Sequence, residues 1–151
     1  MMHFPISNGR ITLDYFKSYM LPNKRIEELI NYWTKTAEQS YKTMLSLNKS
    51  KRYSDCLFFG HLILEKILKS LVVKTTKKQA PYVHNLSYLT KLTGIKLSEK
   101  EIKLLANANE FNLEARYPDE KFDFYKICTK SYTDQYYQPI ISLYKNLCQL
   151  V

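Results

Sequence analysis

Apolar residues recur at steps of three and four along most of the chain, and this spacing predicts helices. The first strong stripe lies on residues 24–48, a polar turn follows, and the second stripe lies on residues 53–73. The first stripe contains Ile26, Leu29, Ile30, Trp33, Ala37, Tyr41, Met44 and Leu45. No segment alternates with a period of two, so the pattern predicts no strand.

The second stripe is broader than the first and covers more than half of the helix circumference. Such coverage is typical of a central helix that touches several neighbours. Gly60 lies in its middle, where glycine is unfavourable by about 1 kcal/mol relative to alanine. We therefore expect another helix to cross closely at Gly60.

The second half of the chain carries clear signals for helix ends. A loop at residues 74–83 precedes a short helix at 84–92, and Gly94 is a candidate for the left-handed residue after it. Ser98 opens the next helix, with Glu101 at the spacing of a capping box.

A last helix is predicted after Pro118, with an apolar and aromatic stripe that continues to Leu147. Pro139 lies inside it and should bend it. The complete pattern predicts an all-α bundle of four to five helices over residues 24–151. Residues 1–23 form an N-terminal extension in which Ile11–Met20 is a candidate short helix.

The composition agrees with a single helical domain. The chain has 151 residues, enough for a sizeable core, and contains only three glycines and five prolines. Its formal net charge of +9 makes an anionic partner such as a nucleotide or RNA conceivable. The alternative is that the lysines only solvate helix faces, since no basic run exceeds two residues.

The cysteines and apolar runs indicate a compartment. Three cysteines without a Cys-x-x-Cys pair fit neither a disulfide framework nor a zinc knuckle, and Cys56 and Cys128 fall on apolar faces. No signal peptide and no membrane-length apolar run are present. We therefore expect a cytoplasmic protein. We also expect no metal and no cofactor, because His61 and His84 lack a third ligand at a recognisable spacing.

The stretch "NLEARYPDEKFDFY", residues 112–125, interrupts two helical patterns. In one interpretation it is a turn: Pro118 disfavours helix at Tyr117, Asp119 caps the next helix, and Arg116 meets a helix end or an acid such as Glu65. In the other it is a site, where the planar donor fork of Arg116 binds phosphate and Tyr117 stacks or donates.

A polar strip on the second helix is the other candidate. His61, Glu65 and Lys69 follow one another at four-residue steps, and Glu65 and Lys69 have the spacing of an ion pair. Such a strip on an apolar helix must face water, a ligand or a partner. We predict a cleft beside Arg116, with no catalytic residue. Its candidate ligand-binding residues are His61, Glu65, Lys66, Lys69, His84, Arg116, Tyr117 and Asp119.

Four features occur in a characteristic order. Trp33 and Ala37 lie in the first helix, Phe58 precedes "EKILKSL" (65–71), "HNLSYL" (84–89) follows a proline-containing loop, and "EARYPD" (114–119) precedes the last helix. In this order the chain resembles the HEPN domain family of small prokaryotic helical proteins, from about Ile26 to the C-terminus.

The resemblance implies an up-and-down helical bundle that often forms homodimers, with a proposed nucleotide-binding role. Members are often encoded beside a minimal nucleotidyltransferase, in two-component or toxin–antitoxin-like pairs. Some branches are metal-independent RNases that carry an Arg-x4–6-His motif near the last helix. Here the permitted positions after Arg116 hold Lys121, Phe122 and Asp123, and the other arginines also lack the histidine. That mechanism needs an imidazole.

We therefore expect a non-catalytic, dimeric module that binds a nucleotide, a nucleotidyltransferase partner, or both. One alternative is an RNase toxin that acts through a departed motif. A second alternative, based on charge alone, is a general RNA-binding protein. The many tyrosines of the last helix, such as Tyr136, Tyr137 and Tyr144, fit a core or dimer interface better than base stacking.

Overall fold

The protein is a bundle of α-helices. The computed structural model describes residues 20–114 and 118–151, without the side chains of residues 113–121. Helices make up 80% of it, and its described residues contain no strand, which confirms the all-α prediction. The described residues form six helices, which are α1 (Asn23–Lys49), α2 (Tyr53–Thr76), α3 (Leu86–Thr93), α4 (Glu99–Glu114), α5 (Pro118–Ile127) and α6 (Lys130–Cys148). The helix predicted at 11–20 lies outside the described residues, except for Met20.

Helix α2 is the centre of the bundle and contacts each of the other five described helices. This confirms the interpretation of its wide apolar coverage. The core side chains of α2 are fully buried, and they include Cys56, Leu57, Ile63, Leu64, Ile67 and Leu68. Because α2 is buried on most sides, any polar residue it carries is held in a restricted environment.

Gly60 marks a close crossing, as its position predicted. A Cβ atom built on Gly60 would lie 3.0 Å from Cδ1 of Ile140 in α6 and 3.3 Å from Cε of Met44 in α1. Two helices therefore approach α2 at the same level. Glycine's lack of a side chain is what permits this approach.

The start of α3 is fixed by hydrogen bonds that hold the loop before it. The side chain of Asn85 accepts from the backbone N–H of Tyr88 at 2.9 Å, which caps the helix. The backbone N–H of Leu86 donates to Oδ1 of Asn109 in α4 at 2.8 Å. These bonds set the position of His84, the residue immediately before the cap.

Two predicted helix ends are confirmed. Gly94 adopts the left-handed conformation with φ of 70° after α3. Ser98 and Glu101 form the capping box, with the N–H of Ser98 donating to the Glu101 carboxylate at 2.8 Å and the N–H of Glu101 donating to the Ser98 hydroxyl at 3.3 Å.

Two predicted details are wrong. The predicted last helix is in fact two helices, because the Thr129 hydroxyl accepts from the N–H of Tyr132 at 3.2 Å and starts α6 there. Asn23, which directly precedes the first apolar stripe, is a candidate N-cap by its residue type, but it is already helical, and Pro22 is the residue before α1. Pro118 is the first residue of α5, a position where its missing N–H costs nothing.

No helix among the described residues is long and apolar enough to cross a membrane.

Candidate functional site

One face of α2 carries a buried row of ionisable side chains. His61, Glu65 and Lys69 are 0%, 5% and 5% exposed. Nζ of Lys69 donates to Oε1 of Glu65 at 2.7 Å, so the ion pair predicted from the four-residue spacing is present. Two opposite charges in close contact can remain buried, whereas either alone would be costly.

His84 binds the same carboxylate from outside α2. Its Nδ1 lies 3.1 Å from both Oε1 and Oε2 of Glu65. A carboxylate only accepts hydrogen bonds, so Nδ1 carries the proton. The His84 side chain is 52% exposed, in contrast to the buried groups behind it. The ring is thus fixed through one nitrogen while much of it remains accessible to solvent.

His61 holds the backbone of His84. Nε2 of His61 donates to the carbonyl oxygen of His84 at 2.9 Å, and its Nδ1 lies 3.6 Å from Oε2 of Glu65. His84 is therefore fixed twice by α2, through its ring and through its main chain. This arrangement pre-orients His84 before any ligand arrives.

The carboxylate of Glu65 stays ionised despite its burial. Burial by itself would raise the pKa of Glu65, but the hydrogen bond and charge of Lys69, the hydrogen bond of His84 and the charge of His61 outweigh it. The result is a pKa below the usual value. At neutral pH, Glu65 is therefore an anion, and its carboxylate orients Lys69 and His84.

Trp33 of α1 completes the surroundings of Lys69. The ammonium group of Lys69 lies 5.0 Å from the centre of the Trp33 ring, within cation–π range. Tyr32, which is 56% exposed, meets the Trp33 ring edge-on at 5.1 Å. The sequence pattern placed Trp33 only in the apolar stripe. Its contact with Lys69 depends on the crossing of α1 and α2, which spacing alone does not reveal.

Lys66 lies apart from this cluster. Its Nζ donates to the Ser40 hydroxyl at 2.7 Å and to the Thr36 carbonyl at 3.4 Å, both in α1. Burial lowers the pKa of Lys66, and the charge of Glu65 partly opposes this effect. The contacts of Lys66 therefore join α1 to α2.

The structure brings four of the eight candidate residues together: His61, Glu65, Lys69 and His84. Arg116 and Tyr117 lie outside the described residues. Asp119 belongs to α5, but its side chain lies outside the described part of the chain. The predicted cleft beside Arg116 consequently stays a prediction.

The cluster offers particular chemistry. With Nδ1–H held by Glu65, the neutral His84 ring has its lone pair on Nε2, and the protonated ring donates through Nε2–H. It can therefore accept a proton from a ligand or donate a hydrogen bond to an anion. No group of three histidine, cysteine or acidic residues in the described part of the chain is placed to hold a metal ion.

The fold is a helical bundle whose central helix carries a buried ion pair, Glu65 with Lys69. This pair holds the half-exposed His84 through the Glu65 carboxylate. The model of the HEPN domain matches residues 30–151. The chain belongs to the HEPN domain family. Neither the curated proteins nor the solved structures that were compared with the chain give a match.

Proposed function

We propose that the chain is a nucleotide-binding module that works as a homodimer and associates with a minimal nucleotidyltransferase in a toxin–antitoxin-like pair. HEPN domains often form dimers and pair with partners. The observation that carries the nucleotide site is the half-exposed His84, fixed by the buried Glu65 carboxylate. The proposal places the module in the cytoplasm.

The ligand group that best matches this site is a phosphate. The protonated His84 ring donates through Nε2–H to a phosphate oxygen while Nδ1–H stays on Glu65, and such charge-assisted hydrogen bonds are strong. A net charge of +9 attracts a phosphorylated ligand from a distance. Arg116, Tyr117 and Asp119 remain proposed members of the same site, with the arginine fork on the phosphate.

Binding without catalysis fits the side chains of helix α2. Lys69 is engaged by Glu65 and by the face of Trp33, so it is not a free nucleophile. Burial raises the pKa of Cys56 to about 12, so its thiol stays protonated near neutral pH.

Calorimetric titration with ATP, GTP and their monophosphates tests the nucleotide site. His84→Ala should weaken the binding of the preferred nucleotide at least about tenfold, which is 1.4 kcal/mol. Lys91→Ala, which removes an exposed charge from α3, is the matched control and should bind as the wild type does. Wild-type protein that binds no nucleotide, or His84→Ala protein that binds normally, would contradict the proposal.

The same geometry favours a second candidate function, RNA cleavage. The Arg-x4–6-His motif is absent, yet His84 is an imidazole oriented by a carboxylate, an arrangement that suits a general base. In that role Nε2 would take the proton of a ribose 2′-hydroxyl. RNA cleavage by purified protein in the presence of a metal chelator, lost in His84→Ala, would favour this candidate over the binding module.

A further inference from the structure

Tyr82 stands out from the surface two residues before His84 in the chain. It is 94% exposed, the largest value among the large hydrophobic residues described as exposed. Single apolar side chains on a surface are common and need no explanation by themselves. The question is whether its surroundings give the Tyr82 ring a defined position.

The turn around Tyr82 is anchored on both sides. Ala80 is 3% exposed within the core, and Val83 packs against the core. The N–H of Val83 donates to the carbonyl oxygen of Pro81 at 2.9 Å and closes a three-residue turn with Tyr82 at its apex. Pro81 further restricts the backbone. Tyr82 is therefore displayed by a fixed turn.

Only Val83 separates Tyr82 from His84. Val83 between them turns towards the core, while both flanking residues are exposed. Two residues of extended chain span at most about 7 Å. The Cα atoms of Tyr82 and His84 therefore lie within about 7 Å of each other, and His84 is held in place by Glu65 and His61.

The charge of the loop indicates what kind of ligand approaches it. Lys77 and Lys78, a few residues before Tyr82, are both exposed. This short segment combines an aromatic ring, which can stack on a flat ring, with an imidazole and lysines, which attract a phosphate. It therefore matches a ligand with a flat ring at one end and a phosphate at the other. A nucleoside 5′-phosphate has this form, with its ribose between the two.

We propose that Tyr82 is the base-stacking platform of a nucleotide subsite in which His84 contacts the phosphate. This inference rests on the proposed nucleotide-binding function and adds the recognition of the base. Stacking tolerates every base, because each has a π-face. The subsite therefore distinguishes ligands that carry a base from those that do not, and discriminates weakly among bases.

The test compares adenosine 5′-monophosphate with ribose 5-phosphate, which lacks the base. Both are titrated into the wild type, Tyr82→Ala, Tyr82→Phe and Tyr88→Ala, the last being a control at a second exposed tyrosine. Tyr82→Ala should weaken binding of the nucleotide about tenfold or more, and Tyr82→Phe should retain it. Ribose 5-phosphate should bind all four proteins equally. Because Tyr82 is exposed, its variants should unfold at the wild-type temperature.

The other outcomes separate the two proposals. If the wild type binds the nucleotide and His84→Ala weakens it, but Tyr82→Ala does not, the base subsite is wrong and the nucleotide-binding function stands. If the wild type binds neither compound, the nucleotide-binding function and the base subsite are both wrong. If Tyr82→Ala weakens the binding of a short single-stranded RNA but not that of adenosine 5′-monophosphate, the mononucleotide subsite is wrong and Tyr82 binds RNA instead.

Discussion

At the scale of single residues, sequence spacing predicts contacts within one helix and fails between helices. Glu65 and Lys69 are one turn apart, so their ion pair follows from helix geometry. Lys66 is adjacent in sequence but is rotated by about 100° around the helix, and it contacts α1 instead. The bond of Glu65 to His84 crosses 19 residues and depends on the path of a loop. No spacing rule predicts it.

The buried ion pair should respond strongly to the loss of one partner. Glu65→Gln leaves the Lys69 ammonium buried without its anion, and the expected loss of unfolding free energy is about 3–5 kcal/mol. The double variant Glu65→Gln, Lys69→Met removes both charges and should recover part of that loss. Urea unfolding gives the free energy of unfolding of the wild type, the single variant and the double variant. If the free energy of unfolding changes by less than about 0.5 kcal/mol in both variants, as at ordinary surface positions, the ion pair does not stabilise the fold as expected.

The pH dependence of stability follows from the lowered pKa of Glu65. The unfolded carboxyl binds its proton at about pH 4.3, before the folded one does, so the unfolded state holds more protons there. The stabilisation is present above that pH and is lost as pH falls through the folded pKa. The free-energy difference between wild type and Glu65→Gln should therefore shrink on acidification. Parallel curves for the two proteins would contradict this assignment.

At the scale of elements, the helices and their ends were largely predictable because local chemistry determines them. The Gly94 end and the Ser98–Glu101 box each depend on residues a few positions apart. The sequence does not predict the break at Thr129, because apolar and aromatic residues continue at steps of three and four on both sides of it. A threonine hydroxyl that caps a helix is a weaker signal than an uninterrupted period.

Gly60 provides a test of the close crossing of helices. Gly60→Ala gains helix propensity of about 1 kcal/mol. It also crowds the flexible tip of Ile140, so its net effect should be small. Gly60→Leu cannot fit between Ile140 and Met44 and should lose about 1–3 kcal/mol of unfolding free energy. Thermal unfolding of both variants checks this, and equal stability for Gly60→Leu and wild type would mean that the helices do not approach so closely.

At the scale of the whole molecule, the fold class follows from the hydrophobic period, whereas the assembly does not. The period places α2 at the centre and predicts a bundle, and the structure agrees. A dimer depends on a surface that meets a second copy, which a single chain does not reveal. Arg116 and Tyr117, which the sequence singled out most strongly, lie outside the described residues.

The homodimer of the proposed function predicts a particular mass in solution. Light scattering on the purified protein should give twice the chain mass of 18.0 kDa at micromolar concentration. Co-purification with a minimal nucleotidyltransferase, expressed together with the chain, should give a complex larger than that dimer. A mass of 18.0 kDa at every concentration would exclude the dimer, and failure to co-purify would count against the partner.

The central claim is that His84, held through Nδ1 by Glu65, offers Nε2 to the phosphate of a nucleotide. Nitrogen NMR of the imidazole rings during titration with adenosine 5′-monophosphate tests it most directly. We predict that the Nε2 resonance of His84 shifts with saturation while Nδ1 keeps its proton. Glu65→Gln should strongly reduce this shift. If the nucleotide binds and neither His84 resonance moves, the nucleotide site lies elsewhere and the account is wrong.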